Sequence, residues 1–472
     1  MRKTKIIATL GPATDGFLNH APAGGEALRQ LIIAGMDVAR MNMSHQDADT
    51  HRRRAEVLQR LRRELDKPVA LLVDTKGPEI RVGALSSPIA LQAGRRLAIT
   101  GKPITATERQ ISVSFPAFAD EVPPGARILI DDGRLELEAA ERVGEAIDCL
   151  VVNGGTLRGG KGVCVPGVSF SIPFLSDKDR ADLQLACEMG ADIVAASFTR
   201  TAADVESIRR ELERHGGGNI RVVAKIENSE GVEHLDDILQ VADGLMIARG
   251  DMGMEFPMEE LPAIQKSIIR RSYSAGVSVI TATQMLDSMM TSPRPTRAEA
   301  CDVAGAIYDG TSAVMLSGET AAGQYPVEAV SAMARIAAAT EQNIDYRARF
   351  DARGTDNSDS ITEAVAAAAV DAAHRLNAHA IVTFSRTGRA ARLLAKFRPA
   401  CPIVCVTPDA AVQRQAMLIW GVTPLLMPAA PAVDPIAAAL RTAAAAGWMP
   451  VGTRTVVAAG SPFDSVKVIQ NA

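Results

Sequence analysis

Lysine and glutamate stand two residues apart at the end of an apolar run in VVAKIENSEG, residues 222–231. In an extended strand, side chains two positions apart project from the same face, so Lys225 and Glu227 point together. One interpretation is an ion pair at a strand end that only satisfies itself. The other is a site where both charges meet a ligand, and the polar residues at other strand ends favour it.

Further charged residues follow other short apolar segments. Glu227 and Asp251 offer two carboxylates with no histidine or cysteine nearby in sequence, which suits Mg²⁺ or Mn²⁺ completed by substrate oxygens. Arg40 and Lys225 supply positive charge, which phosphoryl transfer needs on the transferred oxygens. These four residues predict a divalent-metal site that acts on an anionic substrate.

A second set of oxygen-bearing residues carries only one formal charge. Asn42 and Ser44 follow one predicted strand, while Asp74 and Thr75 lie at the end of another. Such a set could hold a monovalent cation, but Asn and Ser at strand ends also act as simple caps. Residue chemistry alone leaves both interpretations open.

A repeated α/β unit must position these residues. In ALRQLIIAG, residues 27–35, Leu28, Leu31 and Ile32 share one helical face, and Gly35 is typical of a helix end. A short β-rich run follows, and the pattern recurs along the chain. The predicted strands of this kind are Lys5–Thr9, Met36–Met41, Val69–Asp74, Asp192–Ala196, Arg221–Ile226, Gly244–Ala248, Ser278–Ala282 and Ser312–Leu316.

Eight such strands predict a (β/α)8 barrel, in which the active site lies at the carboxyl ends of the strands. A doubly wound open sheet is the alternative. We assign residues 1–74 and 172–344 to the barrel. Residues 75–171 lack the α/β rhythm and contain short alternating strands with PPG and DDG turns, which predict an inserted β-barrel lid. Residues 345–472 predict an open α/β domain, entered through a polar linker at 352–360.

Charge and composition exclude several classes of function. A net charge of −4 gives no global basic field for nucleic acid or an anionic membrane. No apolar segment approaches the roughly 20 residues of a membrane helix, and the start of the chain lacks a signal peptide. We therefore expect a cytoplasmic protein with no membrane or nucleic-acid partner. The six cysteines form no CxxC pair, which argues against a zinc site.

One near-match to a phosphate-binding loop is rejected. GTLRGGKG, residues 155–162, has Gly162 where the loop needs Ser or Thr for Mg²⁺, and no helix pattern follows. Lys161 could still reach a nucleotide phosphate from the lid, or it could be an ordinary solvated lysine.

Eight ordered blocks along the chain resemble those of pyruvate kinases. They are TKIIATLGPAT, AGMDVARMNMSH, LLVDTKGPEIR, KIENSEG, ARGDMGMEF, TATQMLDSM, PRPTRAEACDVA and MLSGETAAGQYP. The resemblance implies transfer of a phosphoryl group from phosphoenolpyruvate to ADP, the last step of glycolysis. It also implies a barrel with a β lid and a C-terminal α/β domain, and it suggests a homotetramer.

The resemblance also implies roles for single residues. Arg40 and Lys225 would contact the transferring phosphoryl group, and Glu227 and Asp251 would hold Mg²⁺ or Mn²⁺. The remaining implied roles are substrate binding by Gly250, Asp251 and Thr283, protonation of the enolate through Thr283, K⁺ binding by Asn42, Ser44, Asp74 and Thr75, and nucleotide binding by His45, Arg81, Lys161 and Asn42. Glu79 is typical of relatives that require K⁺, whereas relatives with Lys supply the charge themselves.

The segment SRTGR resembles the family's loop for an effector phosphate. It comprises Ser385, Arg386, Thr387, Gly388 and Arg389. Because Ala390 replaces a common Ser and the tail after residue 460 looks short, a sugar monophosphate or a nucleotide is as good a candidate effector as fructose 1,6-bisphosphate.

Two other functions are compatible with parts of the pattern. A metal-dependent aldolase or lyase would use Glu227 and Asp251 but would need neither a lid nor Arg40. A non-catalytic sensor of phosphorylated metabolites would need only the C-terminal loop, whereas Lys225 and Thr283 are both present.

Overall fold

The structure, a computed structural model, describes residues 1–16, 25–352, 360–428, 434–459 and 464–471. Within these ranges, eight parallel strands form a closed barrel in which the first strand pairs with the second and the eighth. The barrel strands, numbered below in chain order, are Lys5–Thr9, Val38–Asn42, Ala70–Asp74, Ile193–Ala196, Arg221–Ile226, Gly244–Ala248, Ser278–Ala282 and Ala313–Leu316. The predicted barrel is confirmed, and the open-sheet alternative is wrong.

The second strand begins two residues later than predicted. Gly35 ends the preceding helix with a positive φ of 120°, as expected. The backbone N–H of Met36 still donates to the carbonyl of Leu31, which keeps Met36 in the helix-terminal turn rather than in the strand. Asp37 instead accepts hydrogen bonds through its side chain, from the N–H of Ile6 at 2.8 Å and from Arg2 at 2.7 Å.

Helices surround the barrel and cover its strands. Their apolar sides pack on the outward-facing strand residues in one continuous core. Several begin with a Ser or Thr cap three residues before an acidic residue, as at Ser176 and Thr296. The helices are Glu26–Ala34, Ala48–Leu65, Asp177–Glu188, Ala202–Arg214, Ser229–Glu233, Leu235–Val241, Arg249–Glu255, Leu261–Ala275, Arg297–Asp309, Gly318–Ala321 and Pro326–Gln342.

The lid is a β-barrel between the third and fourth strands of the main barrel. In spatial order its sheet contains Ile80–Arg81, Gly162–Cys164, Arg127–Ile130, Leu135–Val143, Ala146–Asn153, Arg96–Thr100 and Gln110–Ser112. A bridge between Val82 and Val113 joins the two ends of this order. The lid also contains the paired strands Ile89–Leu91 and Gly155–Leu157 and the short helix Phe118–Glu121.

The C-terminal domain is an open α/β sheet. Among its described residues the strand order is Val422–Leu426, Ile403–Thr407, Ala380–Phe384, Arg454–Ala459 and Ser465–Gln470, the last antiparallel. Its helices are Tyr346–Ala352, Ile361–Arg375, Arg389–Lys396, Ala410–Gln415 and Pro435–Ala445. The three inner strands coincide with the β-rich segments AIVTFS, PIVCVT and TVVAAG, which the sequence predicts as strands, whereas the two edge strands have no predicted counterpart.

The structure does not test the predicted domain boundaries, and it does not describe most of the predicted linker. The domain boundaries after residues 74, 171 and 344 stay predictions, and residues 353–359 of the predicted linker lie outside the described residues. Across the described part of the chain, no helix is both long and apolar enough to cross a membrane.

The C-terminal domain closes the amino-terminal end of the barrel. Leu418 is 5% exposed and packs, with Met417, against inward-facing strand residues such as Ile7 and Val38. Close by, the ammonium group of Lys5 donates to the carbonyl of Val422 at 2.7 Å. The floor of the barrel core therefore consists of side chains from another domain.

Leu418→Ala is expected to destabilise the protein by about 2–4 kcal/mol, because the side chain fills the barrel floor and leaves a cavity when it is removed. Leu426→Ala, at a position that is 46% exposed in the same domain, should cost no more than about 0.5 kcal/mol. Urea unfolding of both variants measures the difference, and equal midpoints would contradict this account of the floor.

Candidate active site

The polar residues that end the barrel strands meet at one mouth of the barrel. Lys225 is the fifth residue of the strand Arg221–Ile226, and Glu227 follows that strand directly. The two residues are 8% and 1% exposed, and Nζ of Lys225 lies 2.9 Å from Oε1 of Glu227. The expected common direction of this pair is therefore observed.

Asp74, at the end of the third strand, connects the two basic residues. Its Oδ2 accepts a hydrogen bond from Nε of Arg40 at 2.7 Å, and its Oδ1 lies 3.2 Å from Nζ of Lys225. Arg40 also donates to Oγ1 of Thr9 at 2.9 Å. Two cations and two carboxylates thus form one buried network.

Ser197 completes this network and was absent from the predicted site. Its hydroxyl accepts from Nζ of Lys225 at 2.7 Å and lies 2.6 Å from the carbonyl of Thr75, to which it donates. It follows the fourth strand, so the rule that polar residues at strand ends form the site would have found it. The same hydroxyl lies 3.1 Å from Oδ1 of Asp74, so Ser197 holds the lysine beside that carboxylate.

Burial and charge pairing set the protonation of the network. Burial alone would raise the pKa of Asp74, but Lys225 and Arg40 outweigh it and hold this pKa below its ordinary value. Burial opposes the charge of Lys225, yet Asp74 and Glu227 raise the pKa of the lysine above its ordinary range. The ammonium group is therefore charged at neutral pH.

Glu227 and Asp251 behave as carboxylates that lack sufficient positive charge. Burial raises the pKa of Glu227, against the effect of Lys225, and the charge of Asp251 acts in the same direction as burial. Asp251 is open to the cleft, but desolvation by surrounding protein raises its pKa against Lys225, and Glu79 and Asp132 add to the rise.

This pair fits a divalent cation. Oε1 of Glu227 is fully buried and receives no hydrogen bond of good geometry, although Lys225 is near. No cluster of three or more His, Cys, Asp or Glu residues suited to a metal occurs within the described ranges. A cation held by Glu227 and Asp251 would therefore take further oxygen ligands from substrate or water, as Mg²⁺ commonly does.

The four residues expected to bind K⁺ lie on neighbouring strand ends. Asn42 and Asp74 are partners in register, and the side-chain oxygen of Asn42 accepts the N–H of Ser44 at 3.0 Å. Oγ1 of Thr75 accepts the N–H of Ser197 at 3.2 Å and donates to Ala195 at 3.3 Å. Among the described residues, only Arg40 donates a hydrogen bond to Oδ2 of Asp74. This oxygen therefore has a lone pair left with which it could bind a cation.

Thr283 is held in a strained backbone conformation. Its φ is 67°, which is an outlier for a β-branched residue. Arg249 fixes it by donating to the Thr283 carbonyl at 2.6 Å while binding both oxygens of Asp302 at 2.8 Å. The N–H of Gly250 donates to Oγ1 of Thr283 at 2.9 Å, so the amide expected to bind a substrate carboxylate has a protein partner here.

Arg249 was not assigned a role from the sequence. Its guanidinium connects the helix after the sixth strand to the residues after the seventh. Its position beside Gly250 and Asp251 in the motif ARGD was visible, but its partner Asp302 lies 53 residues away and could not be identified from spacing.

The residues expected to bind nucleotide lie around the mouth. His45 is exposed after the second strand. Arg81 donates to Glu79 at 2.7 Å and to the carbonyl of Gly160 at 2.8 Å. Lys161 lies 2.7 Å from Asp131 and is half-buried. The lid thus presents Arg81 and Lys161 in ion pairs with neighbouring acids.

An open cleft with a volume of about 160 Å³ separates the lid from the barrel. Glu227, Asp251 and Phe198 line it from the barrel, and Cys164 and Phe170 line it from the lid. The lid contacts the far wall where the thiol of Cys164 lies 3.5 Å from Oε1 of Glu255, and burial raises the pKa of this thiol. The predicted metal ligands therefore face the lid.

The SRTGR segment lies at the amino-terminal end of the barrel, which is the end opposite the mouth. Gly388 has a φ of 76° and precedes the helix Arg389–Lys396. Arg386 and Arg389 are exposed. The carbonyl of Thr387 accepts a hydrogen bond at 2.9 Å from Arg221, the first residue of the strand that carries Lys225.

Known proteins resemble this chain over its full length. The family model described as "Pyruvate kinase, barrel domain" matches residues 1–330, and "Pyruvate kinase, alpha/beta domain" matches residues 363–469. A pyruvate kinase from Geobacillus stearothermophilus is 46% identical over 98% of this chain and 78% of its own length. One from Clostridium acetobutylicum is 43% identical over 98% of this chain and 97% of its own.

A solved structure gives the same result. The crystal structure of a pyruvate kinase from Cryptosporidium parvum is 36% identical and superposes with a TM-score of 0.93, covering 100% of this chain and 96% of that one. Family models, sequence relatives and a solved structure thus agree. The chain belongs to the pyruvate kinase family, whose members are phosphotransferases.

Proposed function

We propose that this protein transfers the phosphoryl group of phosphoenolpyruvate to ADP, giving pyruvate and ATP as the last step of glycolysis. The observation that carries the proposal is the buried network of Arg40, Asp74, Lys225 and Glu227 at the barrel mouth. Such a network can bind a phosphorylated anion beside a divalent cation, which is the requirement of phosphoryl transfer.

The basic residues bind and neutralise the transferred group. Arg40 and Lys225 contact phosphoryl oxygens, and both are held in place before substrate arrives by Asp74. Lys225 also stabilises the negative charge that develops on the enolate oxygen as the phosphoryl group leaves. Because these cations are buried, their effect on the developing charge exceeds that of solvated groups.

Metal ions complete the charge balance. Glu227 and Asp251 would hold Mg²⁺ or Mn²⁺, which neutralises substrate oxygens as a Lewis acid when bound. Asn42, Ser44, Asp74 and Thr75 would hold K⁺ beside Arg40. The raised pKa of Glu227 supports this assignment, because a carboxylate that is short of positive charge gains from a cation.

Thr283 and the lid serve the remaining steps. Thr283 participates in protonation of the enolate, directly or through water, and its strained backbone supports a functional role. Gly250 and Asp251 orient the substrate carboxylate. His45, Arg81, Lys161 and Asn42 bind the nucleotide, and lid closure excludes water that would hydrolyse the phosphoryl donor.

The proposal also includes the localisation, the oligomeric state and the allosteric regulation of the protein. We infer a cytoplasmic homotetramer without membrane or nucleic-acid partners. Ser385, Arg386, Thr387, Gly388 and Arg389 would bind the phosphate of an allosteric effector, either a sugar phosphate or a nucleotide. The backbone of this loop and its exposed arginines support a phosphate ligand, because both offer hydrogen-bond donors.

Lys225→Met is expected to lower kcat for ADP-dependent pyruvate formation on the order of 10³-fold, because the variant lacks the ammonium that neutralises the reacting oxygens. Binding of Mn²⁺, followed by electron paramagnetic resonance, should be retained because Glu227 and Asp251 remain. The wild-type protein is assayed in the presence of Mg²⁺, once with K⁺ and once without it. If the wild type shows no turnover under either condition, the proposed reaction is wrong.

Lys178→Met provides the matched control, since Lys178 forms a surface pair with Asp182 and its side chain is 49% exposed. It should keep wild-type activity. Near-normal turnover in Lys225→Met would refute the role of Lys225, and pyruvate release without ADP would favour a lyase.

Glu79→Lys is expected to reduce the dependence of activity on K⁺. The introduced ammonium lies near the mouth, where Glu79 already influences Asp251, and it can replace the monovalent charge. The ratio of activity with K⁺ to activity without it should fall by about tenfold, the equivalent of ~1.4 kcal/mol in the barrier. Glu79→Gln separates gain of an ammonium from loss of the Arg81 partner, and an unchanged ratio in Glu79→Lys contradicts charge replacement.

An effector that binds SRTGR should change activity at subsaturating phosphoenolpyruvate. We expect one compound in a screen of sugar phosphates and nucleotides to shift half-saturation by about fivefold or more, in the usual range of allosteric coupling. Arg389→Ala should abolish the shift, whereas Arg375→Ala, an exposed arginine of the same domain, should preserve it. If both variants show the same shift in half-saturation, the SRTGR loop is not the effector site.

A further inference from the structure

A small cavity lies between the barrel and the C-terminal domain, away from the mouth. Tyr273, Ser278 and Ser312 line it from the barrel, and Arg392, Lys396 and Arg398 line it from the C-terminal domain. Its volume is about 20 Å³, far below the roughly 300–1,000 Å³ of pockets for larger organic ligands. Only a compact ligand fits.

Arg398 is buried in the wall of this cavity with unused hydrogen-bond donors. The residue is 4% exposed, and its Nη2 donates to the carbonyl of Gly310 at 2.7 Å and to Oγ of Ser312 at 3.2 Å. Its Nε and Nη1 are buried and have no hydrogen-bond partner. Buried donors of a charged group are almost always satisfied, so these two nitrogens require an acceptor.

In the part of the chain that the structure describes, Glu341 acts on the charge of Arg398 only from beyond salt-bridge distance. Among the described residues, no carboxylate lies within salt-bridge distance of its guanidinium, and burial lowers the pKa of Arg398 to about 10. The guanidinium stacks 4.4 Å from the ring centre of Trp420 and 5.2 Å from that of Tyr273. Stacking offsets only part of the free energy needed to bury an unpaired ion.

The acids near the other two basic residues are already engaged. Lys396 lies 2.9 Å from Glu363. Arg392 lies 3.4 Å from Asp243, but that carboxylate also binds Arg209 at 2.7 Å and Arg221 at 3.1 Å. One negative charge is thus shared by three arginines, and the cavity wall has an excess of positive charge.

We propose that this cavity binds a small inorganic anion, such as chloride or phosphate, as the counter-ion of Arg398. The anion accepts hydrogen bonds from Arg398 and is attracted by Arg392 and Lys396. Because the wall combines Ser312 of the barrel with the helix Arg389–Lys396, the bound anion stabilises the packing of the C-terminal domain on the barrel. The site is independent of the proposed phosphoryl transfer.

Thermal unfolding of the whole protein tests the site, with chloride or phosphate titrated at constant ionic strength against a bulky sulfonate. The wild type should show a saturable rise in Tm of about 2 °C or more. Arg398→Met should lose this rise and, without anion, should be at least as stable as the wild type, because it buries no unpaired charge. Arg375→Met, at an exposed position, should respond as the wild type does.

Two thermal results would overturn the proposal. One is a wild-type Tm without a saturable dependence on either anion. The other is an Arg398→Met variant that is less stable by the same amount at every anion concentration, which would give Arg398 a packing role only.

Anomalous scattering from wild-type crystals soaked in bromide gives a test that does not depend on the variant folding. A bromide peak beside Nε or Nη1 of Arg398 supports the site, and water alone at these nitrogens overturns it.

Discussion

The ammonium group of Lys225 lies between two buried carboxylates, 3.2 Å from Asp74 and 2.9 Å from Glu227. Removing these charges from water costs several kcal/mol for each, so each group must be matched by partners of opposite sign. Asp74 meets this requirement by also binding Arg40, whereas Glu227 remains short of positive charge. This unmatched charge lies where the proposed divalent cation would bind, whereas the paired charges of Asp74 hold Arg40 and Lys225 in position before a ligand arrives.

The lid is mechanically joined to this network. The chain leaves the barrel through Asp74 and Thr75 and turns at Gly77, whose φ is 71°. A Cβ atom at Gly77 would lie 2.9 Å from Cβ of Ser197, so this turn packs directly on the residue that holds Lys225. The N–H of Gly77 also donates to Asp179 at 3.0 Å, which anchors the turn to the barrel. A change in lid orientation would therefore begin beside the charged network.

The sequence predicts most of the fold because buried parallel strands have a strong local pattern. All eight barrel strands were found. The second begins two residues later than predicted because Met36 completes a helix end, and the third, fourth and eighth each begin one residue later. The edge strand Val422–Leu426 was missed because Pro424 argues against a strand, although an edge position tolerates it.

The site was less completely predictable. Lys225, Glu227 and Asp74 were found because they end predicted strands, and Ser197 was missed although the same rule applies to it. Partners that are distant in the chain have no local signal. Arg249 with Asp302 is one example, and the unpaired burial of Arg398 depends on side chains from both domains.

Pairing of the first strand with the eighth has a consequence for synthesis on the ribosome. Lys5 is the register partner of Ala313, and the nearby Lys3 accepts a hydrogen bond from the N–H of Gly421 at 3.0 Å through its carbonyl. The first strand, Lys5–Thr9, thus lacks its partner on one edge until some three hundred further residues have been translated. The contact of Lys3 with Gly421 can form only later still. A nascent chain of this protein therefore carries an unpaired strand edge for most of its elongation, and such edges promote aggregation.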